Sequence, residues 1–212
     1  MGRHHASERH LYPEVIDVLR EIKQKHPDVI IGAVTDGKAN PLLMTFTLMN
    51  FFDFCISWED DQGARTNFFK ELDNVEGNAE LSWIYKAAVE KYNGLASANA
   101  KMMEKEVHEI GKDAIWIHVG DDLAYDVGGS AQCGAKTVYA ELDEERYKQT
   151  ARLRFEDTDE ESQPDWATSS KKELDTRRSM NEAALGLVDK KIRFLTRLPE
   201  AVDDILEDVN KV

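Results

Sequence analysis

Short, mainly apolar runs recur along this chain, and each is separated from the next by a stretch of different periodicity. Val29-Ile30-Ile31-Gly32-Ala33-Val34 is one such run, and Ala114-Ile115-Trp116-Ile117-His118-Val119 is another. A strand covered on both faces reads this way, whereas a half-exposed strand alternates apolar with polar residues. The stretches between have helical spacing. From Pro13, a residue suited to a first helical turn, Val15, Val18, Leu19 and Ile22 recur on one face. Lys23, Lys25 and His26 follow at the end where cations favour the helix dipole, and Pro27 stops the helix. Strand and helix in alternation predict an α/β fold: a Rossmann-like parallel sheet with helices on both faces.

The same rhythm places further elements. A helix is expected from Pro41 to about Asn50, a strand at Phe54–Ser57 and a helix over Leu81–Tyr92. Ala100 to Ile110 reads as a charged helix or linker. A short helix around Val127–Cys133, a strand at Lys136–Ala140, a brief strand from Ile192 and a closing helix from Leu198 complete the series. Trp58 to Glu80 is polar and aperiodic, an inserted loop. The expected organisation is a leader over residues 1–11, an α/β core over 12–145 with its insertion at about 58–80, and a closing strand and helix over 189–212. Residues 146–188 are dense in charge, with Glu156-Asp157-Thr158-Asp159-Glu160-Glu161 at their centre, and read as an acidic, partly disordered excursion.

Charge narrows the partners. Over 212 residues, 41 Asp and Glu against 27 Lys and Arg give a formal net charge of -14, which opposes a nucleic-acid backbone or an anionic membrane surface. No apolar run approaches the ~20 residues that cross a bilayer. The N-terminal residues lack the apolar stretch of a signal peptide. Cys55 and Cys133 lie far apart in apolar segments and read as core thiols of a reducing compartment, with a cytoplasmic location expected.

Two strand ends could carry chemistry, since ligands of open α/β sheets bind beyond the carboxyl ends of the strands. At Val34-Thr35-Asp36-Gly37 a hydroxyl and successive N–H groups can hold a phosphoryl oxygen; a ligand-free turn has much the same composition. At Val119-Gly120-Asp121-Asp122-Leu123-Ala124-Tyr125-Asp126 the glycine allows a sharp turn, and Asp121, Asp122 and Asp126 crowd three carboxylates together. Such hard oxygen donors suit Mg2+, which keeps several waters. Acids at a helix N-terminus are also favoured by the dipole alone.

In this order and spacing, Thr35, Gly120-Asp121 with Asp126, and the run Asp126-Val127-Gly128-Gly129-Ser130-Ala131-Gln132-Cys133-Gly134-Ala135-Lys136-Thr137 resemble the haloacid dehalogenase-like superfamily of phosphohydrolases. The resemblance runs from about Tyr12 to Ala140 and resumes over Ile192–Leu206. It implies a phosphatase acting on a small phosphorylated substrate. Within that family an Asp-x-Asp aspartate attacks the phosphate ester. Mg2+ then bridges aspartate, substrate and a later acid, matched here by Asp121. Thr35 would hydrogen-bond a phosphoryl oxygen, with Asp36 and Gly37 completing the phosphate-binding turn, and a lysine would balance charge.

Two features depart from the family pattern. No apolar strand ending in Asp-x-Asp precedes Thr35, and Asp157-Thr158-Asp159 has no strand before it. The lysine is displaced: its place falls on Thr66 or Ala79 depending on the direction of reading, and Lys70 is the best remaining candidate. The absent segment would also supply the central strand, next to the one ending at Thr35, so two strands are expected to lose a backbone partner. The expectation is therefore a partial chain, inactive alone for want of its nucleophile. The alternatives are a non-catalytic phosphate- and metal-binding protein and an interaction protein working through its acidic excursion. A phosphoacceptor domain is excluded because its acid pair precedes its threonine.

Overall fold

The computed structural model describes residues 8–35, 40–57, 79–103, 106–110, 112–147 and 171–211. The chain divides into two units, Met1–Ile115 and Trp116–Val212, and each is mixed α/β with a small parallel sheet.

In the first unit, α1 (Val15–Lys25) forms where its apolar periodicity predicts and buries Val18 and Ile22. Asp17 lies in its first turn and Lys23 and Lys25 in its last, each sign facing the dipole end that favours it. Two parallel strands follow, β1 (Gly32–Thr35) and β2 (Phe54–Ser57), with Gly32 opposite Phe54 and Thr35 opposite Ser57. Gly32 is required by its neighbour, because a Cβ there would overlap the Phe54 ring.

The helix expected from Pro41 to about Asn50 does not form. A single 3-10 turn, Pro41–Leu43, is capped by the Asn40 side chain, which accepts the Leu42 N–H at 2.9 Å. Beyond it the Glu8 carboxylate accepts the Phe46 N–H at 3.0 Å and the Thr47 hydroxyl at 3.1 Å. A donor that a helical ladder would use is thus drawn to a distant side chain, and the segment remains a series of turns.

The next helix is longer than expected. α2 (Ala79–Met103) runs through Gly94 without the break anticipated between Tyr92 and Ala100. Ile84, Ala87, Ala88, Tyr92 and Leu95 lie against Ile30, Val34, Phe54 and Ile56, so one apolar stripe covers the β1–β2 sheet. Of the expected inserted loop, residues 58–78 lie outside the described residues, as does Lys70.

In the second unit, β3 (Ile117–Gly120), β4 (Lys136–Ala140) and β5 (Lys190–Ile192) form a parallel sheet in the order β3-β4-β5. β4 is central, and Thr137 and Val138 on it are each only 1% exposed. A π-helix over Leu123–Gly129 and the short α3 (Ser130–Gln132) occupy the crossover from β3 to β4. α4 (Glu144–Tyr147), α5 (Lys171–Leu185) and α6 (Leu198–Asn210) complete the unit. α6 carries Pro199 in its first turn and buries Ala201 and Ile205, as its spacing predicts.

Order extends into the expected excursion over 146–188. Tyr147 is buried and its hydroxyl accepts the Leu195 N–H at 3.2 Å, while α5 occupies residues 171–185. The helix is strongly polar in sequence, and what orders it is packing: Ala184 joins Leu123, Val127 and Tyr139 in a buried cluster, with Val188 against it. Residues 148–170, Asp157 and Asp159 among them, lie outside the described residues. The parallel pairing is as expected, but it makes two small sheets rather than one, and among the described residues no ladder joins them.

Candidate functional site

β3 delivers the backbone to Gly120, and the chain then turns sharply into the π-helix. Asp122 is the N-cap: its Oδ1 accepts the Tyr125 N–H at 2.8 Å. Its carbonyl accepts from both Asp126 N–H at 2.8 Å and Val127 N–H at 3.1 Å, which is the widened ladder of a π turn. Such turns recur at functional sites. The widening also brings the Asp126 side chain back over the end of β3. There Asp126 Oδ2 accepts the Asp122 N–H at 3.0 Å, and Oδ1 lies 3.6 Å from His118 Nε2. A Cβ at position 120 would overlap the Asp126 side chain, so any larger residue there requires Asp126 to shift.

The structure therefore gathers Asp121, Asp122 and Asp126, and it adds two residues. His118, on β3, has a side chain 11% exposed and stands edge-on to Trp116 at 6.0 Å between ring centroids. Arg177, on α5, has a side chain 8% exposed and forms an ion pair with Asp122 Oδ2. Its guanidinium also lies over the Tyr125 ring, 4.1 Å from the centroid. Removing one partner from a buried ion pair costs about 3–5 kcal/mol, because the other charge stays behind unpaired.

The three acids differ in what they present. Both oxygens of Asp122 are engaged, one by the Tyr125 N–H and one by Arg177, so this residue is occupied as a cap rather than offered as a metal ligand. Asp126 is directed at the backbone and at His118. Asp121 is exposed, at the tip of the turn. Crowding shows in its titration: desolvation, then the charge of Asp126 and that of Asp122, push its carboxyl above the ordinary value. The Asp122 carboxyl is also pushed up, since desolvation outweighs the pull of Arg177 and of the Tyr125 N–H.

Thr35 stands at the carboxyl end of β1, opposite Ser57, in the first unit, whereas the acids belong to the second. Asp36 and Gly37 lie outside the described residues. Cys55 is buried and Cys133 half-buried, both as free thiols. Arg177 was hidden from sequence reasoning by its densely charged surroundings. The signal it left was faint: Arg177, Met180, Asn181 and Ala184 recur at helical spacing, and all four are buried or half-buried.

Among the described residues no group of three or more His, Cys, Asp or Glu side chains is arranged to hold a metal ion. Among those residues no helix is long and apolar enough to cross a membrane. No family model matches this chain, and neither a curated protein nor a solved structure matches it.

Proposed function

We propose that this chain carries the acid-bearing half of a phosphohydrolase site of the haloacid dehalogenase type, without the Asp-x-Asp nucleophile. The observation that carries this reading is the turn at the carboxyl end of β3, where Asp121 and Asp122 follow Gly120 directly and the Asp126 carboxylate folds back to accept the Asp122 N–H at 3.0 Å. Parallel pairing supports it, as does the position of Thr35 as the last residue of a second parallel strand.

The donor set fits a water-rich Mg2+ rather than a closed protein cage. Asp121 would be the principal ligand and Asp126 the second, with water filling the remaining positions. When bound, the ion neutralises charge on a phosphoryl group. Asp122 shapes the turn. Lacking a nucleophile, the chain performs no turnover of its own.

The experiment has two parts. With Mg2+ present, the full chain should hydrolyse p-nitrophenyl phosphate no faster than buffer. Calorimetric titration with inorganic phosphate and MgCl2 together should give binding heat that Asp121→Ala abolishes. Turnover lost in Asp121→Ala would show that a nucleophile exists elsewhere in the chain. Absence of any Mg2+-dependent binding would overturn the proposal. A second reading, a non-catalytic protein whose acidic turn is purely structural, is favoured by the engagement of Asp122 and Asp126 with protein groups. Binding heat that survives Asp121→Ala, or never appears, selects it.

A further inference from the structure

Arg177 stands where the acidic turn has the greatest need of positive charge. Burying a guanidinium is unfavourable unless it is paired, yet this side chain is almost wholly covered. Its place is set from both ends. Two turns further along α5, Ala184 is fixed among Leu123, Val127 and Tyr139, which leaves Arg177 above the opening turn of the π-helix. There it meets the carboxylate of the N-cap, Asp122, and the ring of Tyr125, whose N–H that cap accepts. One side chain from α5 thus touches both residues that the capping hydrogen bond joins. Among the described polar residues of α5, Arg177 is the buried one, held at the turn and not part of a solvated face.

We propose that Arg177 is the resident counterion of the acidic turn, supplying at Asp122 the positive charge that the clustered carboxylates require. The turn then stays assembled without a divalent cation, and Asp122 is withheld from metal coordination. Arg177 is a positioning residue that acts through Asp122. The inference deepens the metal-and-phosphate reading, but rests on it only for the identity of the cation kept away from Asp122.

The test is a double-mutant cycle on the full chain in EDTA, read by thermal unfolding. Arg177→Met should lower the unfolding temperature by about 6–12 °C, the shift expected when a buried pair loses one partner in a chain of this size. Asp122→Asn/Arg177→Met should unfold at a higher temperature than Arg177→Met alone, because no buried charge is left unpaired. Asp126→Asn/Arg177→Met should show no such recovery, which separates a specific pair from general relief of acidic charge. Arg177→Lys, which keeps the charge but loses the planar stack on Tyr125, should fall between wild type and Arg177→Met.

Excess MgCl2 should then raise the unfolding temperature of Arg177→Met by more than that of wild type, as the ion takes the vacated place at Asp122. Simple additivity of the Asp122 and Arg177 losses overturns the proposal, and so does a wild-type unfolding temperature in Arg177→Met. Should Arg177→Met fail to fold, a folded Asp122→Asn/Arg177→Met protein supports the pair and an unfolded one overturns it. An equal response of both proteins to MgCl2 overturns the withholding of Asp122. The cycle itself contains neither metal nor phosphate, so a failure of wild type to bind phosphate with Mg2+ strikes the phosphohydrolase reading and leaves the counterion intact.

Discussion

The carboxyl group of Asp126 lies against the Cα of Gly120, in the space that a side chain at position 120 would fill. From there Asp126 closes the turn by accepting the Asp122 N–H. Gly120→Ala should push Asp126 off that donor and cost about 1–3 kcal/mol, the range for an added methyl in a packed site. Urea unfolding measures it, and an unchanged midpoint would mean that the turn relaxes freely around the new methyl.

Thr137 joins β4 to the segment entering β5. Its hydroxyl donates to the Leu187 carbonyl at 2.6 Å and accepts the Asp189 N–H at 3.2 Å, and its own N–H donates to Asp189 Oδ2 at 2.8 Å. Thr137→Val keeps the shape but strips the hydroxyl from both backbone groups at a residue 1% exposed. A loss of about 1–3 kcal/mol is expected from leaving such groups unsatisfied. A loss below a few tenths of a kcal/mol in chemical denaturation would argue that water takes over both bonds.

Asp121 supplies a pH-dependent test. Its folded carboxyl titrates above the ordinary value of 3.8, so folding favours its protonated form. That preference helps the native state below pH 3.8 and is lost as pH rises through the folded value. At neutral pH, holding the ionised group in the turn therefore opposes folding. Asp121→Asn should raise the unfolding temperature at pH 7 in metal-free buffer, and its advantage should shrink as pH falls towards 3.8. An advantage that grew on acidification would reverse the sign argued here.

Two apolar residues of the second unit separate packing from composition. Ile205 in α6 is 2% exposed and Leu185 at the end of α5 is 58% exposed. Ile205→Ala should cost about 2–5 kcal/mol. Leu185→Ala should stay within about 0.5 kcal/mol of wild type. Equal losses would mean that Leu185 is covered in solution.

Much of the fold could be read from local pattern. α1 and β4 stand where periodicity and apolar runs put them, and α6 begins at the expected Leu198. Their sequences bury one face or both with little competition from other groups. The stretch from Pro41 was misread because a helical pattern of apolar residues says nothing about Glu8, whose carboxylate takes donors from Phe46 and Thr47. α5 was missed for the opposite reason. Its composition resembles that of a solvated chain, and its order comes from Ala184 and Arg177 meeting residues on the π-helix.

At the site the division is similar. Gly120, Asp121 and Asp126 could be singled out because a strand end, a glycine and spaced acids are all local features. That Asp122 serves as a cap bound to Arg177, and that Asp126 folds back over Gly120, required contacts the sequence does not encode locally. Arg177 lies 55 residues from Asp122 along the chain. Local periodicity determines which segments can become strands and helices, because it reports only on neighbours within a turn or two. The partner of each buried charge was decided by tertiary packing, since desolvation acts on groups brought together across the chain.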